Sequence, residues 1–239
     1  MKRFFEYILI MMLLIPVEAI PQVSVGVFGG LGTYRMAKLK EINEVQTMTV
    51  PIEIREIDNF DPRLYIGASV NVKLTEVILL GMNYGFNSTG SRIGLKDYSG
   101  YYAYDQIVNG HLFGLEPEVI VWMHRYLTIS VSVMSGVIFT SLEMREAMSI
   151  GTVKEEDSEL FAAVSVPVYP AVKFSRTLYK KLSAQVSAGY SFDTGGKVHL
   201  EGDEDAVIKI NNTTVRTGWS GFRITAGLRF DFNLVNPGR

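Results

Sequence analysis

The sequence contains no cysteine in 239 residues. This absence excludes disulfide bonds, thiolate metal sites, cysteine nucleophiles and a lipoprotein anchor. Histidine is nearly as scarce, with three residues, so an imidazole-based active site has few candidates. Beyond the N-terminus, no segment approaches the roughly 18 uninterrupted apolar residues of a membrane-spanning helix, which argues against a helical membrane protein.

Charge is also sparse. Charged residues make up 20% of the chain and hydrophobic residues 47%, with a formal net charge of −2. The sequence has no basic cluster of the kind that binds nucleic acid, so we predict no nucleic-acid partner. The sequence indicates no cofactor and no defined metal site.

The first 19 residues have the pattern of a secretory signal peptide. Lys2 and Arg3 supply the positive end, and an apolar run from Ile8 to Val17 follows. Ala19 offers a small residue for cleavage, so we expect a mature domain of residues 20–239. The alternative, a membrane anchor, needs a longer apolar run than this one.

Eight later segments alternate apolar and polar residues. Because successive strand residues face opposite sides of a sheet, each segment has one apolar and one polar face. Most are as long as the roughly 9–11 residues with which a tilted strand crosses a membrane. The segments are residues 23–31, 64–73, 78–86, 113–123, 127–133, 162–174, 182–192 and 221–232.

The connections between these segments alternate between long and short. Short turns fall near residues 74–75, 124–125 and 176–181, and long polar stretches cover 35–61, 87–110, 141–159 and 194–219. Outer-membrane barrels segregate loop lengths in this way. We predict an all-β fold, an eight-stranded antiparallel up-and-down transmembrane β-barrel with short periplasmic turns and four long external loops. Part of the first loop, Met48 to Ile57, alternates again and is expected to extend a hairpin.

The alternative is a soluble sandwich or a lipocalin-like barrel, which would bury the apolar faces. Pro117, Pro167 and Pro170 favour it slightly, because proline removes a hydrogen-bond donor from the strand ladder. In a membrane barrel these prolines are expected at bulges or near the rims.

The last strand carries a resemblance to a known family. Thr225, Gly227, Phe230 and Phe232 form a polar-x-Gly-x-x-aromatic-x-aromatic pattern, followed by residues 233–239. The pattern is similar to the C-terminal signal that the outer-membrane barrel insertion machinery reads. Across residues 22–232 the chain resembles the small eight-stranded outer-membrane β-barrel family, which includes the OmpA-barrel, OmpX and OmpW-like proteins. The Gly-rich first strand and the closing segment also resemble PorT-like outer-membrane barrels.

This resemblance implies an integral protein of a Gram-negative outer membrane, in contact with its lipid and inserted by that machinery. It implies external loops that act in adhesion, host contact or envelope integrity through a glycan or protein ligand. PorT-like membership implies instead an accessory role in protein secretion.

Charged side chains recur on the predicted inward faces of the strands. An eight-stranded barrel is just wide enough for side chains to fill it, so we expect opposite charges to pair and plug the lumen. The alternative is a narrow conduit lined by the same groups. The charged residues are Lys73, Glu116, Glu118, Arg223, Arg229 and Asp231.

Aromatic and acidic residues dominate the predicted loops. Tyr98, Tyr101, Tyr102 and Tyr104 are candidates for binding a sugar or a protein, since tyrosine combines a flat apolar face with a polar tip. The alternatives are an interfacial girdle or a loop packed on itself. Glu201, Asp203, Glu204 and Asp205 could hold a hard cation or form a solvated acidic turn. Tyr34 and Trp219 are expected in an outer aromatic belt, and Trp122, Tyr126 and Tyr179 in an inner one.

The sequence offers few residues that could form a catalytic site. Some outer-membrane enzymes modify lipid A with a His, a Ser and an acidic residue, and here only His111 could approach Ser88 or Ser91. It lacks the His-x-Ser spacing of those deacylases, so we expect a rim histidine and a non-enzymatic protein. The expected role is structural or surface-binding. The alternatives are a conduit, a secretion accessory and a lipid-A-modifying enzyme.

Overall fold

The computed structural model describes residues 22–50, 54–98 and 100–232, so the predicted signal peptide, residues 1–19, lies outside the described residues. No helix in these ranges is long and apolar enough to cross a membrane. The elements are β1 (Gln22–Gly32), α1 (Ala37–Thr49), β2 (Arg55–Asn59), β3 (Arg63–Lys73), β4 (Ile78–Lys96), β5 (Gly100–His124), β6 (Leu127–Ile150), β7 (Val153–Ser165), β8 (Pro167–Tyr179), β9 (Leu182–Asp193), β10 (His199–Leu200), β11 (Asp203–Val207), β12 (Lys209–Ile210), β13 (Thr213–Thr214) and β14 (Gly221–Phe232).

Antiparallel ladders close the sheet into a ring. The ring runs β1, β3, β4, β5, β6, β8, β9, β14 and back to β1. β7 and β8 pair with β6 in the same register and are separated only by Val166, so together they act as one strand of the ring. The predicted eight-stranded antiparallel barrel is confirmed.

The alternation in sequence decides which side chains face outward. In β14, Phe222 and Ile224 are 66% and 62% exposed on the outside, whereas Arg223 and Thr225 between them are buried in the interior. The other strands of the ring repeat this arrangement, leaving a continuous apolar band on the exterior. A soluble sandwich or lipocalin-like fold would bury such a band, whereas lipid accommodates it.

Three short turns connect strands at one end of the barrel. They join β3 to β4, β5 to β6 and β8 to β9. Arg125 and Lys180 begin two of them with φ angles of 46° and 37°, in the left-handed region that tight turns use. The described chain begins and ends at this end too, since Val23 pairs with Phe232. We take it as the periplasmic end.

Two of the four long connections at the opposite end are strands rather than irregular loops. β4 and β5 stay paired as far as Lys96 and Tyr101, and β6 and β7 stay paired as far as Ile150 and Val153. Residues 87–98 and 100–110 therefore form one long hairpin and residues 141–161 another, and we call the two together the outer extension. Their alternation is weaker in the sequence because the buried face carries polar side chains, such as Ser91 and Gln106, beside apolar ones such as Ile93.

The first long connection contains α1, which the sequence analysis missed. Residues 37–49 lack glycine and proline and are rich in good helix formers. The prediction that Met48 to Ile57 extends a hairpin is wrong for Met48, which lies in the helix, and residues 51–53 of that segment lie outside the described residues. Only β2 pairs with β4, from Arg55 to Asn59.

The strand prolines coincide with interruptions of the ladder. The pairing of β5 with β6 lapses between Leu115 and Glu118, around Pro117. The pairing of β8 with β9 lapses between Val168 and Ala171, around Pro170. Pro167 begins β8 at the break after β7. Each proline therefore lies where the ladder on one side already lacks a bond, as its missing N–H requires.

The ladder between β1 and β14 gives a prediction about closure. Gly30 lies opposite Thr225, and a Cβ at Gly30 would overlap the Ile224 carbonyl and lie 2.6 Å from the Thr225 Cα. Backbone cannot move aside as a side chain can, so Gly30→Ala should lower the free energy of unfolding by about 1–3 kcal/mol. The measurement is the temperature at which the gel mobility of the detergent-solubilised protein shifts from folded to unfolded.

Gly29→Ala is the matched control for this prediction. The nearest neighbour of a Cβ at Gly29 is the Ile66 Cγ2 at 3.7 Å, an ordinary contact. This variant should shift at the wild-type temperature. Equal transition temperatures for the two variants would contradict the close approach at Gly30.

Candidate functional site

The barrel lumen contains a buried lysine between two buried glutamates. Glu116 and Glu118 point inward from β5, and Lys173 points inward from β8 on the far side of β6. The Lys173 Nζ lies 2.8 Å from Glu116 Oε1 and donates to Glu118 Oε2 at 2.9 Å. All three residues are at most 6% exposed. At such burial each charge depends on the others for its stability.

Neutral groups complete the shell around the two carboxylates. Ser130 Oγ donates to Glu118 Oε1 at 2.6 Å, and Ser132 Oγ donates to Glu116 Oε1 at 2.7 Å. Asn83 Nδ2 donates to Glu116 Oε2 at 2.9 Å. The sequence pattern predicts both glutamates as lumen charges but does not single out Lys173. Its position between the outward-facing Val172 and Phe174 was the signal that could have identified it.

Arg223 lies higher in the lumen and is fully buried. Its guanidinium carbon is 4.9 Å from the centre of the Tyr65 ring and 5.6 Å from that of Tyr169. Its three nitrogens have no hydrogen-bond partner among the described residues. Cation–π contacts therefore hold this charge in place of the ion pair that the sequence analysis expected.

The remaining predicted lumen charges lie towards the periplasmic end. Arg229 Nε is 3.5 Å from Asp231 Oδ1, both residues being partly exposed. Lys73 does not join the buried network, since its Nζ lies 2.8 Å from an oxygen of the exposed Glu76 in the first short turn. Among the described residues, these lumen charges are three cations, Lys173, Arg223 and Arg229, and three anions, Glu116, Glu118 and Asp231, so they compensate one another.

Two small cavities follow the lumen axis. The middle one has roughly 50 Å³ of space for the centres of water molecules and is lined by Glu116, Lys173 and Arg229, among others. The other, at the periplasmic end, has roughly 100 Å³ and is bordered by Glu118 and Asp231. Both are sized for a few waters rather than for an open pore.

A hydrophobic core fills the outer mouth of the barrel. Trp219 is fully buried there, donates from Nε1 to Thr140 Oγ1 at 2.9 Å, and meets the Tyr34 ring edge-on at 5.0 Å. The outer aromatic belt predicted for Tyr34 and Trp219 is therefore wrong, because both side chains turn inward. Trp122, Tyr126 and Tyr179 are exposed near the periplasmic turns. The core also contains Met36, Leu39, Phe60, Val108, Leu112, Met134, Ile138, Leu142, Phe161, Val198 and Val215.

Polar contacts dock α1 onto the inner face of the outer extension. Asn43 Nδ2 donates to Ser91 Oγ at 2.9 Å, and Gln106 Nε2 donates to Asn43 Oδ1 at 2.6 Å and to the Leu39 carbonyl at 3.0 Å. Gln46 Nε2 donates to the Tyr102 hydroxyl at 3.1 Å. Helix and hairpins thus form one folded unit over the mouth.

The four candidate tyrosines do not form one cluster. Tyr102 and Tyr104 are buried on the inner face of the outer extension, where burial raises the pKa of both hydroxyls above the usual range. Tyr101 lies on the opposite face of β5, and Tyr98 is fully exposed in the hairpin turn. A binding surface made of all four is therefore excluded by the geometry.

The other candidates also have clear positions. His111 is exposed on the outer face of β5, with its Nδ1 2.9 Å from the Tyr84 hydroxyl, whereas Ser91 is buried on the inner face against α1. The acidic residues 201–205 lie in and beside the exposed turn that joins β10 to β11. Asp203 Oδ1 accepts the backbone N–H groups of Asp205 and Ala206 there. Among the described residues, no group of three or more His, Cys, Asp or Glu residues could hold a metal ion.

The residues of the predicted insertion signal lie in β14. Phe230 and Phe232 face outward, are 42% and 44% exposed, and have ring centres 4.9 Å apart. Gly227 faces inward opposite Phe28, where a Cβ would lie 2.9 Å from the Phe28 Cβ. The same Cβ would overlap the Val27 carbonyl oxygen, so glycine at this position allows β1 and β14 to approach closely. The Phe28 ring packs in the lumen 5.5 Å from Tyr65.

The buried lysine leads to a prediction about stability. Lys173→Met leaves two carboxylates buried without a cation and should lower the free energy of unfolding by about 3–5 kcal/mol. Urea titration in lipid vesicles, followed by tryptophan fluorescence, measures this loss. Lys73→Met is the control and should leave the transition nearly unchanged, because the partner Glu76 is exposed to solvent.

A triple variant tests whether the loss comes from uncompensated charge. Adding Glu116→Gln and Glu118→Gln to Lys173→Met removes all three charges and should recover most of the stability. A triple variant as unstable as Lys173→Met would show that packing, and not charge, accounts for the effect.

Comparison with known proteins gives likenesses of structure only. No family model matches the sequence, and no curated protein matches it significantly. The N-terminal β-barrel domain of Pseudomonas aeruginosa OprF is 13% identical, with 89% of this chain and 99% of that chain covered and a TM-score of 0.35. Neisserial surface protein A is 10% identical, with 90% of this chain and 98% of that chain covered and a TM-score of 0.37. Ail, the attachment invasion locus protein of Yersinia pestis, is 12% identical, with 88% of this chain and 97% of that chain covered and a TM-score of 0.34.

Proposed function

We propose that this chain is an outer-membrane protein of a Gram-negative cell whose barrel anchors a folded surface-binding unit. The observation that carries the proposal is the distribution of folded structure about the membrane. Among the described residues, the periplasmic end has only short turns, whereas the outer end carries α1, β2, the two long hairpins and strands β10–β13. A membrane anchor alone needs none of these elements.

The filled interior supports a structural barrel over a conduit. The buried Glu116–Lys173–Glu118 network occupies the lumen between β5 and β8, and the core around Trp219 fills the outer mouth. The environment of His111 supports a non-catalytic role. This side chain sits among aromatic rings on the outer face, away from the buried Ser91.

The surface that the outer unit offers is acidic. Residues 141–160, which make up nearly all of the second hairpin, hold six acidic and two basic side chains. Residues 201–205 in the neighbouring connection add four more acids. Such a surface favours cationic partners and disfavours sulfated or phosphorylated ligands.

The conduit alternative gives one prediction. In planar bilayers the purified protein should show no stepwise ion conductance, because the lumen is filled with side chains at two heights. The two water-sized cavities are the observation that favours the alternative. Conductance steps that change in Glu116→Gln would establish a conduit and overturn the proposal of a closed barrel.

A trimmed variant tests the surface-binding role. Deleting residues 91–106 and 143–160, with an Asn-Gly turn in each gap, joins strands that already pair at Gly90–Ile107 and Leu142–Phe161. We expect the trimmed barrel to keep its heat-dependent gel shift, because the ring strands remain.

The readout is binding of the wild type and the trimmed form, both in nanodiscs, to a glycan array, immobilised lysozyme and immobilised serum albumin. These two proteins serve as basic and acidic probes. Ligands captured by the wild type should be lost by the trimmed form. Unchanged capture would place the functional surface elsewhere.

A further inference from the structure

One edge of the outer extension is uncovered. β7 pairs with β6 along its full length on one side. On its other side, only Phe161 and Ala162 pair with β10, and the Leu160 carbonyl accepts the N–H of Glu201 at 2.9 Å. Within the described chain, no strand covers residues 153–159 on that side, which we call the open edge. β2 covers the opposite edge of the extension, along β4.

The direction of the Leu160 carbonyl defines which backbone groups the open edge presents. Because both polar groups of a strand residue point to the same side and alternate along the strand, the N–H and C=O groups of Lys154, Glu156 and Ser158 point away from β6. The Ser158 N–H is donated to the Asp157 carboxylate at 2.9 Å. A row of such groups is a template for an added strand.

The charges of the open edge select what can be added. Its seven residues include four acids, Glu155, Glu156, Asp157 and Glu159, and one base, Lys154. A second copy of the chain would bring acids opposite acids, which destabilises strand pairing. A strand that carries lysine or arginine would instead find opposite charges along its length.

A pocket beside the open edge has the chemistry to receive a basic side chain. It encloses roughly 210 Å³ and is lined by Tyr104, Met144, Glu146, Asp157, Ser158 and Glu159. The Tyr104 hydroxyl donates to the Met144 sulfur at 3.2 Å, and burial raises the pKa of Tyr104, so that this floor stays neutral. The three carboxylates stand above an aromatic and thioether floor, which suits the methylene stem and cationic head of lysine or arginine.

We propose that the open edge binds an extended basic segment of a partner protein by strand addition, with alternate lysine or arginine side chains in the adjoining acidic pocket. The inference rests on the proposed surface-binding function and specifies its site and its class of partner. The competing explanation is that the acids only protect the edge from association with other strands.

The experiment uses the full protein in nanodiscs and a fluorescein-labelled ten-residue peptide of alternating lysine and valine. Anisotropy measures binding, and hydrogen exchange measures protection of the Glu156 and Ser158 amides. A second peptide of the same charge, with proline in place of valine, cannot pair as a strand. We expect the first peptide to bind at least about tenfold more tightly than the second and to slow exchange at Glu156.

Glu156→Pro and Glu156→Ala form a matched pair. Both remove the same carboxylate, which lies on the face opposite the pocket, but only proline removes the edge N–H. Because this N–H points away from β6, proline leaves the native ladder intact. Glu156→Pro should weaken binding about fivefold or more relative to Glu156→Ala, the loss of one or more backbone hydrogen bonds. Equal affinities would overturn strand addition in favour of electrostatic adsorption.

A double variant, Asp157→Asn with Glu159→Gln, tests whether the pocket carboxylates bind the basic side chains of the peptide. Glu156→Gln, on the opposite face, is its control. The pocket variant should lose about tenfold in affinity, and the control about twofold or less. Absence of binding by the wild type would show that the acids only protect the edge. If the trimmed form still lost its array ligands in that case, the proposed function would stand without this site.

Discussion

The antiparallel ladder between β1 and β14 is the interaction on which this structure depends. In lipid an unpaired backbone group has no water to bond, so a sheet spans a membrane only when its two edges meet. Ten residue pairs join these strands, from Val23–Phe232 to Gly32–Arg223. Glycines at the seam, such as Gly30, allow the backbones to approach closely. Once the ring is closed, the outside must be apolar and the polar residues between must face inward.

Closure confines the inward charges in a space with little water, and their arrangement follows from that confinement. Lys173 pairs with both carboxylates, and hydrogen bonds from Asn83, Ser130 and Ser132 complete the shell around their oxygens. The charge of Arg223 is stabilised differently, by cation–π contacts with the Tyr65 and Tyr169 rings. The interior is therefore a packed core in which the lumen charges compensate one another.

Above the membrane the same strands continue in a different solvent. Water can satisfy a strand edge, so the extension of β4 to β7 does not need to close, and β7 keeps an open edge that would be untenable in lipid. The cavity left by the widening hairpins is filled by α1 and by Trp219, Tyr34 and their neighbours. The closed barrel below and the open-edged sheet above are thus one set of strands in two environments.

The sequence by itself determined the ring. The period of two in segments such as Phe222–Phe232 specifies both the strand and the face that meets lipid, and the alternating loop lengths specify the sidedness. Only the tertiary structure decided the contacts inside. Lys73 and Lys173 both occupy inward-facing positions in the alternation. Strand register nevertheless places Lys73 at the rim beside Glu76 and Lys173 between Glu116 and Glu118. Trp219 and Tyr34 lie in connections without periodicity, where nothing local distinguishes a belt from a core. Leu39 and Asn43 are spaced to lie on one face of a helix, but the sequence does not show what that face packs against. The hairpins supply this surface through Ser91 and Gln106.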